Sequence, residues 1–410
     1  MDPERKYHEW YNLVCRILSM TALWPDQERK GIREAMHEIV AIVTAMATFL
    51  MLASSLNYCL FHFQNLEQLM RGLGFLGTLV LMTVKIVIII LRRDMIADLI
   101  KTLNTMWLED LKDAVLRPIL LRHLKALSTF SYLQTVTVGG AVVGHLIGPI
   151  TGLLYGTLSD ATVVYLLPLP VKFLWSESGG MIIYSANYLF SIFVGWACVS
   201  IIVGLDGLFC VMVLQITGLL RVVSFRMRNF SSATDFENGF RKCVQRHSVL
   251  TRCVDQMQKV YGFTILIQFL ANALVICALI FQASQIEVLT VARMMVYGIY
   301  ITSKLVQTLM YSWCGELLTH ESEEVSHAAY ESDWILDSVD VKMKRNMAMV
   351  IGKRPFVLTA CHFASVSFGM FTKVSGRVHV LDGVVFEFRS SQGLERLGID
   401  LREFTENLSF

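Results

Sequence analysis

Charge is scarce in this chain: 17% of its 410 residues are Asp, Glu, Lys or Arg, against 54% hydrophobic, and mean hydropathy is +0.52. The apolar residues come in long blocks instead of recurring at helical or strand period, which argues against a soluble domain. Blocks of about 20 apolar residues are what a bilayer demands. With a formal net charge of +2, the total says little, and no nucleic-acid partner is expected. Paired cysteines are missing as well. Nine cysteines stand singly with no CxxC spacing, so they read as small apolar residues, and no metal or cofactor is expected. The opening MDPERKYHEWYNLVCRILSM has charges on both sides of its apolar residues and no cleavable-signal pattern, so the first span is expected to serve as the insertion signal. Internal repeats, a nucleophile triad, paired carboxylates and a phosphate loop are absent too, and an enzyme is not expected.

What is present is a series of spans, expected at Ile39–Phe63, Leu73–Leu91, Leu127–Ile150, Ile182–Leu205, Val260–Phe281, Met294–Trp313 and Pro355–Phe371. From Met181 to Leu220 the only charge is Asp206, so the stretch makes about 60 Å of helix without a turn signal. One span with an extension into the cytosol keeps the basic stretch after Arg221 inside. Basic residues settle the orientation. They crowd the first 38 residues, the segment between spans 2 and 3, the stretch 221–259 and the approach to span 7. The alternating loops offer only Arg71, Lys172 and Arg293. The amino end is therefore expected in the cytoplasm and, with seven spans, the carboxyl end outside. The fold class is all-α, a polytopic membrane protein. Its segments are 1–38 (cytoplasmic), 39–220 (spans 1–4, outer loop 151–181), 221–259 (cytoplasmic, helical), 260–313 (spans 5 and 6), 314–354 (cytoplasmic anchor helix), 355–373 (a short pore helix) and 374–410 (tail).

YESDW at 330–334, KRPFVLTA at 353–360, then Phe363 and FTK at 371–373 resemble the last-span signature of insect odorant receptors. GLDGLF at 204–209, QITG at 215–218, YSWCGELL at 311–318, HESEEV at 320–325 and LLPLP at 166–170 are similar to further stretches of that family. The inverted topology agrees, whereas G-protein-coupled receptors begin outside. The resemblance implies an odorant-gated, non-selective cation channel. Four subunits share a pore lined by the last span, and this chain works with a co-receptor in a heterotetramer at the plasma membrane of sensory dendrites. The family's co-receptor carries a long insertion between spans 4 and 5. The short 221–259 segment here implies a tuning subunit. Tyr330, Trp334, Pro355, Thr359, Phe363 and Phe371 are the implied pore and anchor residues. From Val374 onward the sequence is charged and unlike the family's ending, so no gate or filter residue is assigned. The alternatives are a gustatory-type receptor and a secondary transporter, the latter disfavoured by the missing repeat.

The outer halves of the spans supply Thr78, Met82, Gly139, Val143, Phe193, Trp196, Leu279, Met294, Tyr297 and Tyr300. Aromatics and methionine with a few hydroxyls suit a small apolar volatile held by dispersion and one or two hydrogen bonds. Ordinary interhelical packing would use the same residue types. GLGFLG at 72–77 matches GxGxxG literally, but no strand precedes it, so close helix packing is the reading. Gly140, Gly144 and Gly148 form a stripe for helix approach or a cavity floor. His320, Glu321 and His327 lack HExxH spacing. Three charges lie near membrane depth. Lys85 is expected to snorkel inward, Asp206 to anchor the helix extension, and Lys304 to face protein or water, with Asp206 as a candidate partner.

Overall fold

The computed structural model describes residues 3–24, 32–158, 167–175, 180–229, 233–284, 291–332, 341–360, 364–366 and 369. Among the described residues ten helices follow in order: α1 Pro3–Met20, α2 Ile32–Phe61, α3 Leu66–Leu91, α4 Arg93–Leu111, α5 Arg117–Leu120, α6 Leu124–Leu158, α7 Gly180–Arg228, α8 Ala233–Ser284, α9 Val291–Glu331 and α10 Val341–Ile351. Strands β1 Thr359–Ala360 and β2 Ala364–Ser365 pair antiparallel. Among the described residues, five helices are long and apolar enough to cross a bilayer: those at Glu38–Phe61, Leu66–Leu91, Arg117–Ile150, Gly180–Arg228 and Glu237–Ser284.

The bundle is built around α7. Its 49 residues run unbroken for about 74 Å. From Ser200 to Ser224 every described side chain is buried. A helix apolar on all sides must be enclosed on all sides, and α1, α4, α5, α6, α8 and α9 all pack against it. Glycines permit the closest of these approaches. A Cβ on Gly204 or Gly207 would meet Leu18 Cγ at 2.8 Å or Val14 Cγ2 at 2.9 Å, so α1 lies directly against α7. On α1 the buried residues Tyr7, Trp10, Val14 and Leu18 recur at helical spacing, which gives that short helix one apolar face to dock. Gly218 receives Trp107 and Leu120 in the same way.

The peripheral helices show the complementary pattern. On α2, Ile39, Ile42, Val43, Met46 and Phe49 are all exposed, a lipid-facing stripe for a helix in a bilayer. Helix α3 begins at the N-cap Asn65, whose side chain accepts from the Gln68 amide, and it packs on α2 and α8. GLGFLG at 72–77 sits in these contacts: Gly72 against Cys59, Gly77 against Val275.

Two expectations need correction. Pro355 does not open a helix. Residues 353–358 have no regular structure, and β1 and β2 follow, so the described part of the expected seventh span lies as a strap across α8 and α9. The cause is visible in the pairing of its peptide groups. The Gln258 side chain donates to Thr359 O at 2.6 Å and accepts from Thr359 N at 2.9 Å, while Phe356 N donates to Ser322 Oγ. Val366 packs on Gly315, where no side chain would fit. Lys85 does not snorkel either; it is buried within the bundle and paired.

Candidate functional site

A small cavity of about 70 Å³ lies between α3, α6, α7 and α9. Each helix contributes residues one helical turn apart. Helix α3 gives Phe75, Thr78 and Leu79; α6 gives Val138, Ala141, Val142, His145 and Leu146. Helix α7 gives Ser191, Val194, Gly195, Cys198 and Ile202, and α9 gives Tyr300, Ser303 and Lys304. Leu169 closes it from the segment 167–175. That segment is tied down by Asn57 donating to Lys172 O and by Trp175 Nε1 donating to Asn187 Oδ1 at 3.1 Å. Phe173 and Trp175 stack beneath it, and Val171 and Phe173 pack with Met51, Leu79 and Val194.

The wall is mostly apolar with a few polar groups. Thr78 and Tyr300 share a hydrogen bond of 2.7 Å across α3 and α9. The His145 ring meets Tyr300 edge-on at 5.5 Å, and its Nδ1 lies 2.7 Å from Ala141 O. Lys304 Nζ sits 5.4 Å from the centre of the Tyr300 ring.

One helical turn further along the same four helices lies a buried polar hub on Asp206. Its Oδ1 accepts from Lys85 Nζ at 2.5 Å and Tyr311 Oη at 2.5 Å; its Oδ2 accepts from Gln134 at 2.5 Å and Gln307 at 2.6 Å. Lys85 is on α3, Gln134 on α6, and Gln307 and Tyr311 on α9. A carboxylate has about four lone-pair positions, and here four donors fill them. The partner of Asp206 is therefore Lys85 and not Lys304.

Beyond the hub an ionic layer binds the helix ends expected in the cytoplasm. Asp110 receives Arg226 at 2.8 Å and both of its oxygens receive Arg246. Arg221 pairs with Glu321, and Arg228 with Glu324 and Glu331. Arg228 beside Glu324 holds that carboxyl below the usual carboxylate range. Asp206 is thus an interhelical junction, a fuller role than anchoring the extension of α7. His320, Glu321 and His327 belong to this ionic end of α9.

Of the ten residues expected in a pocket, the structure brings Thr78 and Tyr300 to the cavity. Met82 and Leu279 are buried in packing elsewhere, and Phe193 packs partly buried against the cluster around Met51. Val143, Trp196 and Met294 are exposed, Tyr297 is half-buried off the cavity wall, and nothing lies within 4 Å of a Cβ on Gly139. On α6 and α7 the expected positions sit beside the cavity stripe, roughly one residue out of phase. Gly140 faces Ile299 and Gly144 faces Val296, so that stripe serves the approach of α6 to α9; nothing lies within 4 Å of a Cβ on Gly148. Of the pore and anchor set, Tyr330 is exposed at the end of α9, Pro355 is exposed on the strap and Thr359 is clamped by Gln258. Trp334, Phe363 and Phe371 lie outside the described residues, as does the tail from Val374.

A family model described as 7tm Odorant receptor matches residues 65–376. The match stops within three residues of Val374, where the charged tail begins. Among curated relatives, the odorant receptor coreceptor of Aedes aegypti is 28% identical over 135 residues, 33% of this chain and 28% of that protein. Odorant receptor 82a of Drosophila melanogaster is 23% identical over 239 residues, 56% of this chain and 60% of that protein. The chain thus spans less than two thirds of the length of either. The solved insect olfactory receptor OR5 from Machilis hrabei in complex with eugenol superposes with a TM-score of 0.75 at 11% identity, covering 94% of this chain and 100% of that one. This likeness shows the fold.

Proposed function

This chain belongs to the 7tm odorant receptor family, and from that membership we propose that it is a tuning subunit of an odorant-gated, non-selective cation channel. It works with the odorant receptor coreceptor in a heterotetramer, multi-pass in the plasma membrane of olfactory dendrites, and binds small volatiles. The observation that carries this reading is the stacking of the cavity on the Asp206 hub: both are made by α3, α6, α7 and α9.

The geometry is compatible with a route from ligand to pore. A ligand can shift an equilibrium only by its difference in affinity for the two packings. One lodged against Tyr300 and Lys304 bears on α9 directly. The same helix carries Gln307 and Tyr311 in the hub, then Gly315 and Ser322, against which the strap of residues 353–360 and 364–366 rests. Displacement of α9 therefore moves the strap, which carries Pro355 and Thr359 of the set that the family resemblance assigns to the pore and anchor. Tyr330, Trp334, Pro355, Thr359, Phe363 and Phe371 remain the proposed pore and anchor set.

The test is voltage clamp of cells expressing this chain with an insect odorant receptor coreceptor, presented with a panel of volatiles. Cation current that requires both chains and a volatile is the expected result. Uptake of a solute without current would replace the channel reading with a transporter.

A further inference from the structure

The membrane-depth charges do not balance, and the surplus faces the cavity. Lys85 and Asp206 form a closed pair, but Lys304 stands apart from it. Lys304 is only 3% exposed and lines the cavity one turn below Tyr300. Among the described residues no carboxylate lies within ion-pair distance of it. Asp206 could serve Lys304 only by releasing one of its four present donors. The other titratable groups facing this layer are Cys198, His145, Tyr300 and Tyr311. Tyr300 is engaged with Thr78, Tyr311 with Asp206, and His145 with Ala141 O. None of them carries negative charge at neutral pH.

The Lys304 ammonium is a three-donor group in a mostly apolar chamber, 5.4 Å from the centre of the Tyr300 ring and without a hydrogen bond to any described residue. A ligand that brings an oxygen acceptor completes it, and an anionic acceptor also restores neutrality. We propose that this cavity selects small apolar ligands headed by an oxygen acceptor, a carboxylate above all, with Lys304 as the residue that grips the head while the α6 and α7 stripes pack the hydrocarbon. The Thr78 and Tyr300 hydroxyls, held to each other, are placed to add a second hydrogen bond to the same head. This inference rests on the cavity being the ligand site of the receptor proposed above.

A carbon-matched series tests it: hexanoic acid, hexanal, 1-hexanol and hexane, applied to the wild-type chain, Lys304→Met, Lys304→Gln and Lys304→Arg, each co-expressed with the coreceptor and checked for surface level by biotinylation. The expected result is that the acid activates the wild type at the lowest concentration. Lys304→Met should raise the half-activating concentration for the acid at least tenfold more than that for the alcohol, and Lys304→Arg should preserve the order. If Lys304→Met fails to reach the surface, Lys304→Gln is read by the same criterion. An acid-to-alcohol ratio unchanged by loss of the charge, or a wild type that prefers alcohol or alkane, overturns the proposal. Thermal stabilisation of the purified chain by hexanoate is measured in parallel. Stabilisation lost in Lys304→Met without any channel current would sustain this inference while sinking the channel reading.

Discussion

Replacing Asp206 by Asn removes one charge from the hub and leaves Lys85 without a counter-ion. Both side chains are almost fully enclosed, at 1% and 0% exposure, so water cannot substitute. Asn also turns one oxygen into an amide donor, which then confronts Gln134 and Gln307 or Lys85 and Tyr311, all donors themselves. Breaking a buried pair from one side destabilises by about 3–5 kcal/mol, because a lone charge is left behind. Lys85→Met should fall in the same range, since Asp206 keeps three neutral donors but loses its cation. The double variant Lys85→Met with Asp206→Asn removes both charges together, so the expected coupling of the two changes exceeds either single loss, about 3 kcal/mol or more. At roughly 2–4 °C per kcal/mol for a large domain, each single variant should melt at least about 6 °C below the wild type, and the double variant above either single one. Heating the detergent-solubilised chain and reading the surviving monodisperse fraction by size exclusion gives the comparison. Single variants within about a degree of the wild type, or losses that simply add in the double, would refute the hub as a charge-dependent junction.

Tyr300→Phe removes the 2.7 Å hydrogen bond to Thr78, worth about 1 kcal/mol, and should shift volatile dose–response curves about fivefold. Trp196→Leu, on the exposed face of α7, should leave the curves in place. Gly218→Ala would push a methyl against Trp107 Cζ3 at 2.7 Å and Leu120 O at 3.1 Å, and should lower thermal stability by about 1–3 kcal/mol, measured by the same melt. Asn229, in an NFS sequon at the end of α7, should never carry glycan if the basic segments are cytoplasmic. A glycosidase-sensitive mass shift that disappears in Asn229→Gln would reverse the orientation.

The helices were legible because hydropathy and missing turn signals register directly in composition. Residues 181–220 contain no turn signal, and no break occurs there in α7. What the sequence conceals is rotational phase. In water a polar face tells which way a helix turns, but in lipid both the buried and the exposed faces are apolar. Val142 faces the cavity and Val143 the outside, with nothing in their chemistry to separate them. The same ambiguity put Trp196 among the pocket residues while Gly195 and Cys198 line it. Polar side chains carried more information. Gln134, Gln307 and Tyr311 sit in apolar runs, and buried polar groups seek one another; scoring them with Lys85 and Asp206 would have found the hub. The strap was hidden for another reason: Gln258 determines the backbone of Thr359, a long-range hydrogen bond that local apolarity cannot announce.

The proposed channel requires that a ligand act on it from the cavity. The most direct measurement is the volatile-evoked current of the chain with its coreceptor before and after Ser191→Leu, which fills the cavity from α7 without touching the hub. A current that loses its sensitivity at least tenfold in Ser191→Leu, at equal surface expression and with Trp196→Leu unchanged, is the predicted result. An identical concentration dependence in the filled and unfilled chains would contradict it.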